Sequence, residues 1–153
     1  MFTYRDLTLL DAIAIFQLEK SVFLKDAWSL PQIKEELSGP RRRYIAALDG
    51  GKIIGYAGVA ITAPTGDIHS VAVLPEYRRQ GIARELIAKL EAWVIDQRVE
   101  LLTLEMRLGN EEAAPLYQSL GYKELAIRRN YYGVGVDAIV MQKELPKSPQ
   151  EMR

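Results

Sequence analysis

The amino-acid sequence predicts a three-layer α/β fold in which about four helices cover a mixed, mostly antiparallel sheet of about seven strands. Two observations predict this class. Short runs of β-branched or alternating apolar residues recur along the chain, which is typical of strands. Amphipathic stretches that open with capping residues separate these runs, which is typical of helices. The resulting order of elements is β-α-α-β-β-β-α-β-α-β-β.

The length and composition favour one globular domain without a metal. The 153 residues are enough for a buried core, which we place at residues 1–145, followed by a polar tail at 146–153 that is expected to fray. Twenty basic and twenty acidic side chains cancel, so no broad attraction to nucleic acid or a membrane surface is expected. Cysteine is absent, which leaves no thiolate nucleophile, and the single histidine, His69, cannot build a zinc site without several carboxylate partners.

The sequence also carries no targeting or membrane signal that we detect. The N-terminus lacks a basic start followed by an apolar core, and the apolar run from Ile53 to Ala63 is too short to cross a bilayer. We therefore expect a cytoplasmic protein, as a monomer or a weak dimer.

Local signals set the expected bounds of the elements. Thr8 and Asp11 resemble a capping box, and Ser29 opens a second helix. Asp49-Gly50-Gly51 is typical of a hairpin turn, and Gly121 suits a helix C-terminus. We expect strands at 2–5, 44–48, 52–61, 67–73, 101–107, 122–129 and 138–144, and helices at 8–23, 29–39, from Arg79 or Gln80 to near Arg98, and at 111–120.

The stretch from Val71 to Ala83 is the strongest candidate for a binding element. A β-branched strand ends before Pro75, which cannot continue a central strand, and a basic turn containing Gly81 leads into an amphipathic helix. A helix N-terminus presents unpaired N–H groups and a partial positive charge, which suit a phosphate group. Strand–turn–helix units are common, so the pattern by itself also fits a surface turn with exposed arginines.

Several further short motifs follow one another along the chain, and together they favour a binding role for this turn. The turn at 78–83 fits the pattern Gln/Arg-x-x-Gly-x-Gly/Ala, and the other motifs are Trp28-Ser29, Leu104-Glu105-Met106-Arg107, Asn110, Leu116-Tyr117-Gln118-Ser119-Leu120-Gly121-Tyr122, Arg128-Arg129-Asn130-Tyr131-Tyr132 and Asp137-Ala138-Ile139-Val140-Met141. Over nearly the whole chain they resemble the GNAT N-acetyltransferase superfamily, and within it the RimI type, which acetylates protein N-terminal amines. The chain departs from that type at Ala27, where proline is usual, and at Val136, where an acidic residue is common.

The resemblance implies acetyl-CoA as co-substrate and no metal. Val71, Ala72 and Val73 would pair with the pantetheine arm like an added strand, and the N–H of Val73 would help to polarise the thioester carbonyl. Asn110 would contact the cofactor, although a helix N-cap explains this residue nearly as well. The residues that would cradle the pyrophosphate are Arg79, Gln80, Gly81, Ile82, Ala83 and Arg84.

The resemblance also implies direct transfer with two side chains as base and acid. Glu105 would be the general base and Tyr117 the general acid, since a tyrosine with an ordinary pKa of about 10 is protonated at neutral pH. Trp28 and Tyr131 would line the acceptor site. Each has a plainer explanation from the residues alone: Glu105 fits the solvated face of a strand or an ion pair with Arg107, and the aromatic residues fit core packing.

The energetics of deprotonation favour an α-amine as acceptor. Freeing an α-amine of its proton at pH 7 costs only about 1–1.4 kcal/mol, whereas a lysine side chain costs about 4.6 kcal/mol. We therefore expect an enzyme that acetylates a protein N-terminus, such as the N-terminal alanine of a small-subunit ribosomal protein. The alternatives are an acetyltransferase for a lysine side chain or a small amine, and a non-catalytic module that binds acetyl-CoA.

Overall fold

The computed structural model describes residues 1–107, 113–129 and 138–148, apart from the side chains of residues 25, 106 and 107. Its strands are β1 (Thr3–Asp6), β2 (Arg42–Asp49), β3 (Lys52–Thr62), β4 (Thr65–Val73), β5 (Leu101–Arg107), β6 (Lys123–Arg128) and β7 (Ala138–Glu144). The α-helices in these ranges are α1 (Ala12–Phe23), α2 (Leu30–Ser38), α3 (Ile82–Asp96) and α4 (Ala114–Ser119).

The strands form one seven-stranded sheet in the order β1-β2-β3-β4-β5-β7-β6. The pairs β1–β2, β2–β3, β5–β7 and β6–β7 are antiparallel, and β4 runs parallel to β5. The predicted fold class, with about seven strands and about four helices, is therefore confirmed.

The predicted capping signals act as their sequences indicate. The Thr8 N–H donates to the Asp11 carboxylate at 2.9 Å, which completes a capping box before a short 3₁₀ turn that leads into α1. At α2 the Ser29 hydroxyl accepts from the Gln32 N–H at 3.3 Å, and Gln32 Oε1 accepts from the Ser29 N–H at 2.8 Å. Gly121 has a φ of +96° just after α4, where a side chain would be strained.

Helix α3 begins later than the sequence predicts. The expected start was Arg79 or Gln80, but α3 begins at Ile82. The reason lies in the backbone, because Arg79 and Gly81 have φ values of +63° and +79°, outside the range of a right-handed helix. The residues before Ile82 therefore form a turn of their own.

The chain divides into two compact units, the first made of residues 1–60 and 70–92 and the second of residues 61–69 and 93–153. In the first unit α1 and α2 contribute Ile15, Leu18 and Ile33 to a core that also contains Tyr44 and Tyr56. Each of these side chains is buried, so this unit has a continuous apolar centre.

The second unit has its own buried residues on β5, α4 and β7. The larger buried side chains among its described residues are Ile61, Ile68, Val94, Val99, Leu102, Leu104, Tyr117, Tyr122, Val140 and Met141. Leu102 and Leu104 alternate with Thr103 and Glu105, which confirms the predicted alternation along β5. Ser148 is buried, so the expected fraying does not hold at that residue of the tail.

Candidate active site

The end of β4 and the turn after it form the candidate donor-binding segment, which lies in the first unit. Ala72 and Val73 are buried, and Val71 is half-buried. The strand ends as the position of Pro75 predicts, and a 3₁₀ turn from Pro75 to Tyr77 follows it. The N–H of Leu74 donates to the Ile54 carbonyl at 2.9 Å, which fixes the exit from β4 against β3.

The turn before α3 is the predicted phosphate-binding turn, and two of its residues have positive φ. Gly81 and Arg79 both lie in the left-handed region, and the Gly81 carbonyl accepts the N–H of Glu85 at 3.0 Å, the first bond of the helix. The first N–H groups of a helix have no intrahelical partner, and alternating backbone conformations turn such groups toward one side. A Cβ built on Gly81 meets nothing within 4 Å, so the surface above this turn is open.

Two side chains anchor this turn. Arg78 Nε donates to the carbonyl of Val73 at 3.1 Å, which ties the turn back to the end of β4. The Tyr77 hydroxyl donates to Asp49 at 2.7 Å, and this hydrogen bond raises the pKa of Tyr77. The loop is therefore tied to the end of β4 and to Asp49 at the end of β2.

Glu105, the candidate base, lies on β5 in the second unit and is paired with a cation. Its Oε1 is 2.8 Å from Nη1 of Arg128 on β6, and the side chains of Glu105 and Arg128 are 24% and 56% exposed. Glu105 thus has an ion-pair partner on another strand, Arg128, while the predicted pair with Arg107 stays untested. The Arg107 side chain is outside the described residues.

Tyr117, the candidate acid, is buried on α4. Its ring meets that of Tyr122 edge-on, with centroids 6.3 Å apart and an angle of 72° between the planes. This contact agrees with the prediction of core packing for an aromatic residue at this position. The catalytic role of its hydroxyl stays a prediction.

The remaining predicted residues are distributed as follows. Trp28 is half-buried against the core of the first unit, and His69 is exposed on β4. Asn110 and Tyr131 lie outside the described residues. The first unit thus brings together Trp28 and the donor segment, and the second contains Glu105 and Tyr117.

The sequence alone predicts no role for two residues, Arg128 and Glu19, whose contacts bear on the chemistry of the protein. Arg128 belongs to one of the quoted motifs, yet nothing in a single sequence pairs it with Glu105 across an intervening strand. Glu19 sits in an apolar helix pattern and is buried at 1% exposure, with its Oε1 accepting from the Tyr56 hydroxyl at 2.9 Å. Burial raises the pKa of Glu19 to about 7, while the hydrogen bond from Tyr56 opposes the shift.

Within the described ranges, no cluster of three or more His, Cys, Asp or Glu side chains is arranged to hold a metal ion. In the same part of the chain, no helix has the length and apolar composition needed to cross a membrane.

The turn ahead of α3 and the two candidate acid–base residues are consistent with a transferase, and comparison with known proteins identifies the family. The model of the acetyltransferase (GNAT) family matches residues 10–122. The N-alpha-acetyltransferase RimI of Mycobacterium tuberculosis is 34% identical over 144 residues, which cover 90% of this chain and 89% of that protein. This chain therefore belongs to the GNAT family and is an N-acetyltransferase, as its motifs predict.

Solved structures agree with this assignment. The ribosomal-protein-S18-alanine N-acetyltransferase from Escherichia coli superposes with a TM-score of 0.88 at 29% identity, covering 100% of this chain and 99% of that one. An aminoglycoside 6'-N-acetyltransferase complexed with coenzyme A has a TM-score of 0.81 at 16% identity, covering 96% and 99% of the two chains. At that identity the second likeness shows the shared fold alone.

Proposed function

We propose that this N-acetyltransferase transfers the acetyl group of acetyl-CoA to the α-amine of a protein N-terminus, with an N-terminal alanine of a ribosomal protein as the first acceptor to test. The observation that carries this proposal is the likeness to an N-alpha-acetyltransferase over nine tenths of both chains. The aminoglycoside enzyme shares the fold at low identity, so the fold by itself does not select the acceptor.

The geometry of β4 supports the donor half of the proposal. Its parallel register with β5 runs from the Thr65–Leu101 pair to the Ile68–Leu104 pair, while β4 itself continues to Val73. In our proposal the pantetheine arm hydrogen-bonds to the backbone of this extension as an added strand would. The pyrophosphate lies on the turn that leads into α3, where helix N–H groups attract negative charge.

The proposed chemistry is a direct transfer in which each proton has a carrier. Glu105 takes the proton of the α-ammonium, and the freed amine attacks the carbonyl carbon of the thioester. A C–N bond forms, the C–S bond breaks, and the Tyr117 hydroxyl gives its proton to the departing thiolate. The proton that the attacking nitrogen loses as it becomes the amide goes to the Tyr117 oxygen, which restores the hydroxyl. The N–H of Val73 stabilises the negative charge that develops on the carbonyl oxygen.

A peptide assay tests this function. Short peptides that begin with alanine or serine and contain one internal lysine are incubated with the enzyme and acetyl-CoA, and tandem mass spectrometry locates the acetyl group. We expect modification at the α-amine and little at lysine, because the α-amine loses its proton far more cheaply at pH 7. Modification of lysine alone, or tight acetyl-CoA binding without any transfer, would contradict the proposal.

A further inference from the structure

The ion pair between Glu105 and Arg128 spans three adjacent strands. Glu105 pairs with Val140 on β7, and Val140 pairs with Ala126 on β6. Paired residues of antiparallel strands project from the same face, so Glu105 and Ala126 share a face, and Arg128 follows Ala126 at the next position on it. The Arg128 side chain therefore reaches Glu105 across β7, over two strand spacings of about 4.8 Å each.

The described residues on this face of β7 include no second cation that could pair with Glu105. On its face of β7 lie Ala138, Val140 and Gln142, which are uncharged, and at the end of the strand Glu144, which pairs with Leu101, four positions before Glu105 on β5. The nearest other acid on this face is Asp67, whose carboxylate accepts the Thr103 hydroxyl. The same face of β6 carries a second cation, Lys123, opposite Gln142. Among the described side chains, Arg128 is thus the cation that compensates Glu105.

The two partners differ in their access to water. The Arg128 side chain is 56% exposed, so it can leave Glu105 and be hydrated at little cost. Glu105 is 24% exposed and depends more on a charged partner. When the pair opens, the carboxylate therefore needs a new cation more than the guanidinium needs a new anion.

We propose that Arg128 is a specificity-determining residue: it holds Glu105 in an ion pair that the acceptor must exchange for its own α-ammonium group. This inference rests on the proposed role of Glu105 as the base for an α-amine. An acceptor that brings an ammonium group replaces one ion pair with another. A neutral acceptor end-group of the same shape has no charge to exchange and leaves the Glu105–Arg128 pair in place, so it gains nothing from Glu105.

The test measures binding rather than turnover. Two peptides that differ only at the first residue are titrated into the enzyme in the presence of CoA, one beginning with alanine and the other with a propionyl group in place of alanine. In the Arg128→Gln variant no guanidinium competes with the peptide for Glu105. We therefore expect the ammonium peptide to bind about two- to five-fold more tightly, which corresponds to the free energy of a partly exposed ion pair. The propionyl peptide should bind as it does to the unaltered enzyme.

Matched variants separate this role from a structural one. Lys123→Gln removes a positive charge from the same face of the same strand and should leave both affinities unchanged. Arg128→Lys keeps the charge and should restore the preference of the unaltered enzyme, which also serves if Arg128→Gln folds poorly. Equal weakening of both peptides in Arg128→Gln, no change in either, or the same gain in Lys123→Gln would overturn the proposal.

The Glu105→Gln variant distinguishes this inference from the proposed function. It should erase the difference in affinity between the two peptides, because the carboxylate that receives the ammonium is gone. If that difference persists in Glu105→Gln while the unaltered enzyme still acetylates α-amines, the exchange at Arg128 is wrong and the transferase function stands. If no peptide is acetylated at its α-amine, the proposed function itself fails.

Discussion

Glu19 and Glu105 are both shielded from bulk water, but their surroundings prepare them for opposite tasks. Glu19 lies in the core of the first unit with a tyrosine hydroxyl as its partner, and its second oxygen has no hydrogen bond from any described group. Glu105 lies on a sheet face of the second unit, with a half-exposed guanidinium at 2.8 Å. A carboxyl without a cation is most stable in the core when protonated, whereas one with a displaceable cation stays ready to exchange partners.

The surroundings of Glu19 are those of a fixed network. Tyr56 stacks on Tyr44 with ring centroids 6.2 Å apart, and the Tyr44 hydroxyl donates to Glu36 at 2.6 Å. Glu36 also pairs with Arg42. These groups join α1, α2, β2 and β3 through side chains that are mostly buried, so we expect changes near Glu19 to alter stability rather than catalysis.

The largest expected effect is on turnover, which should fall when Glu105 is changed and stay nearly the same when Glu19 is changed. Glu105→Gln should lower kcat/KM for an α-amine peptide by about 10²–10⁴-fold, because the proposed general base is lost while the shape is kept. Glu19→Gln is the matched control and should retain most of the turnover. Initial rates of CoA release measure both. Near-normal rates in Glu105→Gln would show that Glu105 is not the general base.

The pH dependence of stability gives the second test. The pKa of Glu19 rises from 4.5 to about 7 on folding, so between these pH values the folded protein keeps a proton that the unfolded chain has lost. The free energy of unfolding should therefore fall as the pH rises through this window, by roughly 2–4 kcal/mol for this group, and level off above it.

Urea titrations at pH 4.5 and pH 8 measure this change, and Glu19→Gln isolates it from other ionising groups. The difference in unfolding free energy between the unaltered protein and Glu19→Gln should shrink or reverse as the pH rises. A difference that is the same at both pH values would mean that folding does not raise the pKa of Glu19.

Much of the fold follows from signals that are local in sequence. The capping boxes at Thr8 and Ser29 and the hairpin turn at Gly50 depend on residues within a few positions of one another, and these elements were predicted close to their bounds. The start of α3 was missed because Arg79 adopts a positive φ, which a residue other than glycine seldom does. The bounds of β2 were too short since its outer residues, Arg42 and Asp49, are polar.

The site was predictable only where it resembled a known motif. The candidate donor turn and Glu105 were proposed because their residues are contiguous or stand in a short pattern, and their roles stay predictions. The pairing of Glu105 with Arg128 depends on the strand order β5-β7-β6 and on a register across β7, neither of which one sequence reveals. Glu19 was overlooked for a similar reason, since its partner Tyr56 is on another element 37 positions away.

The packing beside Glu19 provides a third test. A Cβ on Gly58 would lie 1.9 Å from Cε2 of Tyr44, whose ring is held by its stack on Tyr56 and its bond to Glu36. Gly58→Ala should therefore destabilise the protein by about 1–3 kcal/mol or more. Gly51→Ala, at a turn where a Cβ meets nothing within 4 Å, is the control and should be nearly neutral in the same denaturant titration.

The smallest expected effect concerns the stability of the Glu105–Arg128 pair. Because one side chain is 24% and the other 56% exposed, their coupling should contribute less than about 1 kcal/mol to the free energy of unfolding. A double-mutant cycle with Glu105→Gln and Arg128→Gln measures that coupling at low and high salt, and salt should reduce it. A coupling of several kcal/mol that salt does not reduce would make the pair a structural clamp. Arg128 could then not yield to an incoming ammonium group, and Glu105 would resemble Glu19 rather than contrast with it.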